Sequence, residues 1–217
     1  RFTSPHPAEF TDDVIEAMAD TPTVMPQLHM PLQSGSDRIL RAMRRSYRSD
    51  KFLGILDRVR AAMPDAAITT DIIVGFPGET EEDFATLCDF VTDARLDAIG
   101  VFGYSDEDGT EAETYDGKLD EDEIAERVEH LSALADELTA QRAEERIGEE
   151  VVVLVETLDP DADGPGSGTA EGRAACQGPE VDGSTLLTGL TDGVRVGDMI
   201  RARVVATDGV DLVAEPF

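Results

Sequence analysis

Residues 67–75 read Ala-Ile-Thr-Thr-Asp-Ile-Ile-Val-Gly, a β-branched run with apolar residues on both faces that a strand would present. A strand covered on both faces belongs in a parallel sheet flanked by helices. The neighbouring periodicity is helical. Phe52, Ile55, Leu56, Val59 and Met63 precede the strand at helical spacing, and Phe84, Leu87, Cys88 and Val91 follow it. Between strand and second helix, Thr80-Glu81-Glu82-Asp83 has the form of a capping box.

The same alternation extends both ways. Thr11–Met18 reads as a short helix, Val24–Leu32 as a strand interrupted by prolines, and Ser36–Met43 as a helix capped by Ser36. Ala98–Tyr104 reads as a third strand. Asp120–Arg146 reads as a long acidic helix whose buried stripe is Ile124, Val128, Leu131, Leu134 and Leu138. The expected fold class is α/β, with parallel βαβ units over residues 1–146. Three strands are too few to close a barrel, and the chain opens on Arg1, so it is expected to begin in mid-domain.

After Gly148 the character changes. Val151–Val155, Ala170–Cys176, Thr185–Thr188, Met199–Ala206 and Val210–Ala214 read as short strands, and Asp159–Gly168 as a loop. This predicts a second, small antiparallel β-barrel of OB-like size over residues 147–217.

Acidic residues outnumber basic ones, 47 Asp and Glu against 18 Lys and Arg, for a formal charge of −29. The excess is steepest over residues 104–150. Such a surface suits a basic partner better than a phosphate backbone. No apolar run reaches the ~20 residues of a membrane span, so a cytoplasmic protein without a membrane partner is expected. The two cysteines, Cys88 at an apolar helical position and Cys176 in a polar strand-and-turn region, make neither a disulfide framework nor a cluster ligand set. No metal ligands are expected, and no catalytic residue is assigned.

Ligands of parallel β/α domains sit at the C-terminal ends of the strands. Three such ends can be read. The first is His29-Met30-Pro31-Leu32-Gln33-Ser34-Gly35-Ser36, where Gln33 and Ser34 offer hydrogen bonds, although an ordinary capped turn fits the pattern equally well. His29 reads as a satisfied strand-end histidine. The second is Asp71 through Thr80, where Gly75 and Gly78 allow a ligand to lie against the backbone. It lacks the Gly-Lys-Ser/Thr of a phosphate loop. The third is Phe102-Gly103-Tyr104-Ser105-Asp106, whose aromatics could stack on a flat ring or pack in the core.

Taken in order, these segments, with Met43-Arg44-Arg45-Ser46-Tyr47, Gly103 through Thr110 and Gln141 through Gly148, resemble the radical-SAM methylthiotransferases over essentially the whole chain. Residues up to about 85 look like the tRNA-modifying (MiaB) branch. Those from about 90 onward, including Gly172 through Gly183, look like the ribosomal-protein (RimO) branch. The resemblance implies the second half of a radical-SAM β/α barrel over 1–146 and a TRAM domain over 147–217. It implies S-adenosylmethionine as cofactor, with Gln33 and Ser34 near its ribose and methionyl portion. Ile73, Gly75 and Gly78 would lie on the adenine side, with Phe102 and Tyr104 flanking the ring. It also implies two 4Fe–4S clusters in the parent enzyme, with ligands outside this chain, so that the chain by itself would bind substrate without turning it over. The favoured substrate is an aspartate of a basic small-subunit ribosomal protein; the alternative is an isopentenyl-adenosine in tRNA.

Overall fold

A computed structural model describes residues 1–2, 4–159, 168–179, 182–190 and 193–217. Strands β1 (Gln27–His29), β2 (Ala67–Val74) and β3 (Ala98–Gly103) form a parallel sheet in the order β1-β2-β3. Helices α1 (Asp12–Asp20), α2 (Asp37–Ala42), α3 (Ser49–Ala62), α4 (Glu81–Ala94) and α5 (Glu121–Glu144) alternate with it. Ile68, Ile72 and Val74 of β2 are fully buried, in one core with Leu28, Phe52, Ile55, Val59, Leu87 and Val91. Each such side chain contributes about 1.5–3 kcal/mol relative to exposure. The alternate residues Thr69, Asp71 and Ile73 share the opposite face.

Two expectations change in detail. The strand expected over Val24–Leu32 shrinks to Gln27–His29, because Pro26 and Pro31 cannot donate to a ladder. Thr70 compensates: its hydroxyl donates to the Met30 carbonyl at 2.8 Å and accepts from the Leu32 amide at 2.8 Å. In α5 the fully buried line is Arg127, Leu131, Ala135, Thr139 and Ala143, whereas Ile124, Val128, Leu134 and Leu138 are only half-buried. Small residues every fourth position let the helix lie close to β3, and that contact sets its inward face.

Strands β4 (Glu150–Asp159), β5 (Thr169–Arg173), β6 (Thr185–Leu187), β7 (Met199–Asp208) and β8 (Asp211–Pro216) close a barrel in the order β4-β5-β6-β8-β7. Its core is Val153, Val155, Ala170, Leu187, Ala202 and Ala214. Among the described residues every pairing is antiparallel except β6 with β8, which run parallel. Residues 160–167 of the expected loop lie outside the described residues.

The barrel is tied to the sheet. Ala67, Ala143, Ala174, Cys176, Val204 and Leu212 form a shared apolar cluster. Beside it Arg146 bonds Asp97 at 2.8 Å and Glu149 at 3.2 Å. Cys176, in the turn after β5 and beside these charges, is buried, and burial pushes its thiol up. Gln27 Nε2 donates to Asp182 Oδ2 at 2.9 Å, joining the start of β1 to the turn between β5 and β6.

Candidate functional site

The chain reaches the C-terminal rim of the sheet at three points. After β1, the Gln33 amide donates to the Asp71 carbonyl at 2.9 Å, and the Ile73 amide donates to the Gln33 carbonyl at 2.9 Å. Gln33 thus extends the sheet as an isolated bridge with a left-handed φ of 73°. After β3, the Tyr104 amide donates to the Val74 carbonyl at 2.8 Å. These bonds bring Gln33, Ile73, Phe102 and Tyr104 around one cavity of about 640 Å³. Its aromatic wall is ordered by Phe76, packed edge-on to Tyr104 at 5.3 Å and Tyr115 at 6.1 Å. The Tyr104 hydroxyl donates to Asp106 at 2.9 Å. Desolvation and that carboxylate push the phenol up to about 12.

Ser34, Gly75 and Gly78 do not line this cavity. Ser34 is buried, and its hydroxyl accepts from the Ser36 amide at 3.2 Å. The Gly75 amide donates to Glu79 Oε1 at 3.0 Å, and a Cβ at Gly75 would stand 2.6 Å from Ile124 Cγ1. The Gly78 carbonyl accepts from Arg38 at 2.6 Å. The glycine-rich turn is therefore shaped by packing against α5 and by its own polar bonds. Asp83 anchors it: burial pushes this carboxyl up, but hydrogen bonds from Arg38, Ser36 and Thr80 outweigh burial and hold it well below the usual range. The capping box expected at Thr80 forms with Asp83 as its second member.

Two further residues border the cavity, Arg45 and Asp71. Arg45 borders the cavity; its Nε is buried without a hydrogen-bond partner, and the guanidinium has no ion pair among the described residues. In so acidic a chain, a cation left without a carboxylate suits one that arrives with a ligand. Asp71 faces inward from β2, and Gly100 makes room for it, since a Cβ there would lie 2.6 Å from Asp71 Oδ1. Asp71 and Phe102 also line a second cavity of about 750 Å³, bordered by Gln27, His29, Thr69 and Asp182. The sequence signal for Asp71 was the two-residue period of β2; Arg45 had none beyond its position after a helix.

Among the described residues no three His, Cys, Asp or Glu side chains are grouped to hold a metal ion. Cys88 lies on α4 and Cys176 beside the second barrel, so this chain does not offer a cluster ligand set. Among the described residues no helix is long and apolar enough to cross a membrane.

Residues 2–91 match the Radical SAM superfamily, and residues 147–216 match the TRAM domain. The ribosomal protein uS12 methylthiotransferase RimO of Nocardioides sp. is 58% identical over 211 residues, 97% of this chain and 43% of that protein. The tRNA-2-methylthio-N(6)-dimethylallyladenosine synthase of Mycolicibacterium paratuberculosis is 52% identical over 216 residues, 99% of this chain and 40% of that protein. The chain thus spans about two fifths of the length of these relatives. Coproporphyrinogen III oxidase (HemN) from Escherichia coli, a radical SAM enzyme, superposes with a TM-score of 0.53 at 19% identity, covering 61% of this chain and 31% of that one, a likeness of fold. Residues 2–91 are thus a radical SAM segment and residues 147–216 a TRAM domain, and nearly the whole chain is similar to about two fifths of each of two radical SAM methylthiotransferases.

Proposed function

We propose that the rim cavity is an S-adenosylmethionine site, and that the chain serves a methylthiotransferase acting on a basic ribosomal protein of the small subunit. The observation that carries the reading is the meeting of Gln33, Ile73, Phe102 and Tyr104 with the unpaired Arg45 around one cavity. The donor set suits the cofactor. Phe102 and Tyr104 offer faces to an adenine, with Ile73 beneath. Gln33 offers an amide to the ribose and methionyl portion, and Arg45 a guanidinium to the carboxylate. Ser34, Gly75 and Gly78 act from behind, by fixing the turns that carry the lining residues. When bound, S-adenosylmethionine supplies both the radical that opens a C–H bond and the methyl group. The two 4Fe–4S clusters of such chemistry need ligands from outside this chain.

On this reading residues 1–146 are the cofactor-binding unit and residues 147–217 the recognition unit of a cytoplasmic enzyme. The charge of −29 favours a basic polypeptide. The tRNA reading has one observation in its favour: Arg201 and Arg203 share an outer face of β7, both over the Phe217 ring, at 5.3 and 5.5 Å. Both are also paired with Glu150, which reduces what they can give to phosphate. The test is titration of the full chain, at near-physiological salt, with the basic ribosomal protein and with a tRNA anticodon stem-loop. Salt-sensitive binding of the protein alone supports the proposal. Tighter binding of the stem-loop, lost in Arg201→Glu with Arg203→Glu, overturns the choice of substrate.

A further inference from the structure

The sheet register sets His29 of β1 beside Thr69 of β2, and the two-residue period puts Asp71 on the same inner face. The imidazole is held at both nitrogens: Nδ1 lies 2.9 Å from Thr69 Oγ1, and Nε2 lies 3.2 Å from Asp71 Oδ2. A carboxylate only accepts, so this geometry needs the proton on Nε2. In the neutral ring Nδ1 is then an acceptor, and the Thr69 hydroxyl must donate to it. Thr69 is 2% exposed, so water does not compete for that hydroxyl. Asp71 has no other cation or hydrogen-bond donor among the described side chains; its carboxylate borders both cavities, and Oδ1 lies toward Gly100 on the wall of the second.

We propose that His29 is a positioning residue: oriented by Thr69, it fixes the Asp71 carboxylate, which borders both cavities, so that the carboxylate can accept a hydrogen bond from a hydroxyl-bearing ligand in the rim cavity. The proposal rests on the reading of that cavity as the S-adenosylmethionine site. His29 stands on the side of the second cavity, which Phe102 and Asp71 divide from the first.

The test has two readouts on the full chain. Long-range proton–nitrogen correlation NMR of the imidazoles is expected to show His29 protonated at Nε2. Its Nδ1 signal should move in Thr69→Val and stay in Thr69→Ser. S-adenosylhomocysteine is expected to bind about tenfold more weakly to His29→Ala, the effect of one lost charge-assisted hydrogen bond. His29→Gln, whose amide can still donate to Asp71, should recover most of it. A proton on Nδ1 alone with no response to Thr69→Val, or undiminished binding by His29→Ala, would overturn the proposal. Failure of the parent chain to bind S-adenosylhomocysteine at all would fault the cofactor reading instead, and the imidazole signals would then decide the positioning of Asp71.

Discussion

Glu79 and Arg127 meet at 2.7 Å with side chains only 1% and 5% exposed, so the turn after β2 is locked to helix α5 by an ion pair shut off from water. Arg127 also reaches Glu81 and Glu123, and Glu79 receives the Gly75 amide. Burial pushes the Glu79 carboxyl up, against the pull of Gly75 and Arg127. Removing one partner strands the other charge in a dry site. Arg127→Ala is therefore expected to lower stability by about 3–5 kcal/mol in urea unfolding. Glu79→Gln, which keeps an acceptor for Gly75, should cost less. Equal costs would show that the pair is not what locks the turn.

Asp83 gives an acid-sensitive contribution. Against the upward push of burial, hydrogen bonds from Arg38, Ser36 and Thr80 hold its carboxyl well below the ordinary carboxylate range in the folded chain. A depressed carboxyl adds stability above its unfolded pKa, and that stability is lost as pH falls through the folded value. Thermal unfolding followed from about pH 5 down to about pH 2 should lose part of its acid slope in Asp83→Asn. At neutral pH that variant should also be less stable, by about 1–3 kcal/mol, because one acceptor oxygen and the charge facing Arg38 are lost while Thr80, Ser36 and Arg38 still donate to the site. An unchanged acid slope would contradict the assignment.

Gly75 is required by geometry twice over, with a left-handed φ of 76° and Ile124 against its Cα. Gly75→Ala should cost about 2–4 kcal/mol, combining overpacking with backbone strain. In a double-mutant cycle with Ile124→Ala only the overpacking part should be relieved. Full recovery would mean that the backbone conformation carries no cost.

Much of this architecture was legible along the chain. Strand β2, helix α3 and the Thr80–Asp83 cap follow from local periodicity and local hydrogen bonding, and they stand where the pattern puts them. The inward line of α5 did not follow from its apolar residues, because close packing selected Ala135, Thr139 and Ala143. Ser34 was readable as a polar strand-end residue, but its capture by the Ser36 amide depends on the turn that forms. The His29–Asp71 contact and the second cavity depend on the pairing of β1 with β2, about forty residues apart, and no local pattern encodes that register.

Cluster chemistry should be absent from the chain alone. Anaerobic reconstitution with iron and sulfide, followed by metal analysis, is expected to leave no stable visible-absorbing cluster, since Cys88 and Cys176 sit in separate parts of the fold. A stoichiometric cluster would show that ligands other than these suffice.

The central claim is that the rim cavity takes S-adenosylmethionine. The direct measurement is an amide chemical-shift titration of the full chain with S-adenosylhomocysteine. Perturbations should centre on Gln33, Ile73, Phe102 and Tyr104, and affinity should fall about tenfold in Arg45→Gln. Saturable shifts confined to the second cavity or to the 150–217 barrel, with affinity unchanged in Arg45→Gln, would contradict it.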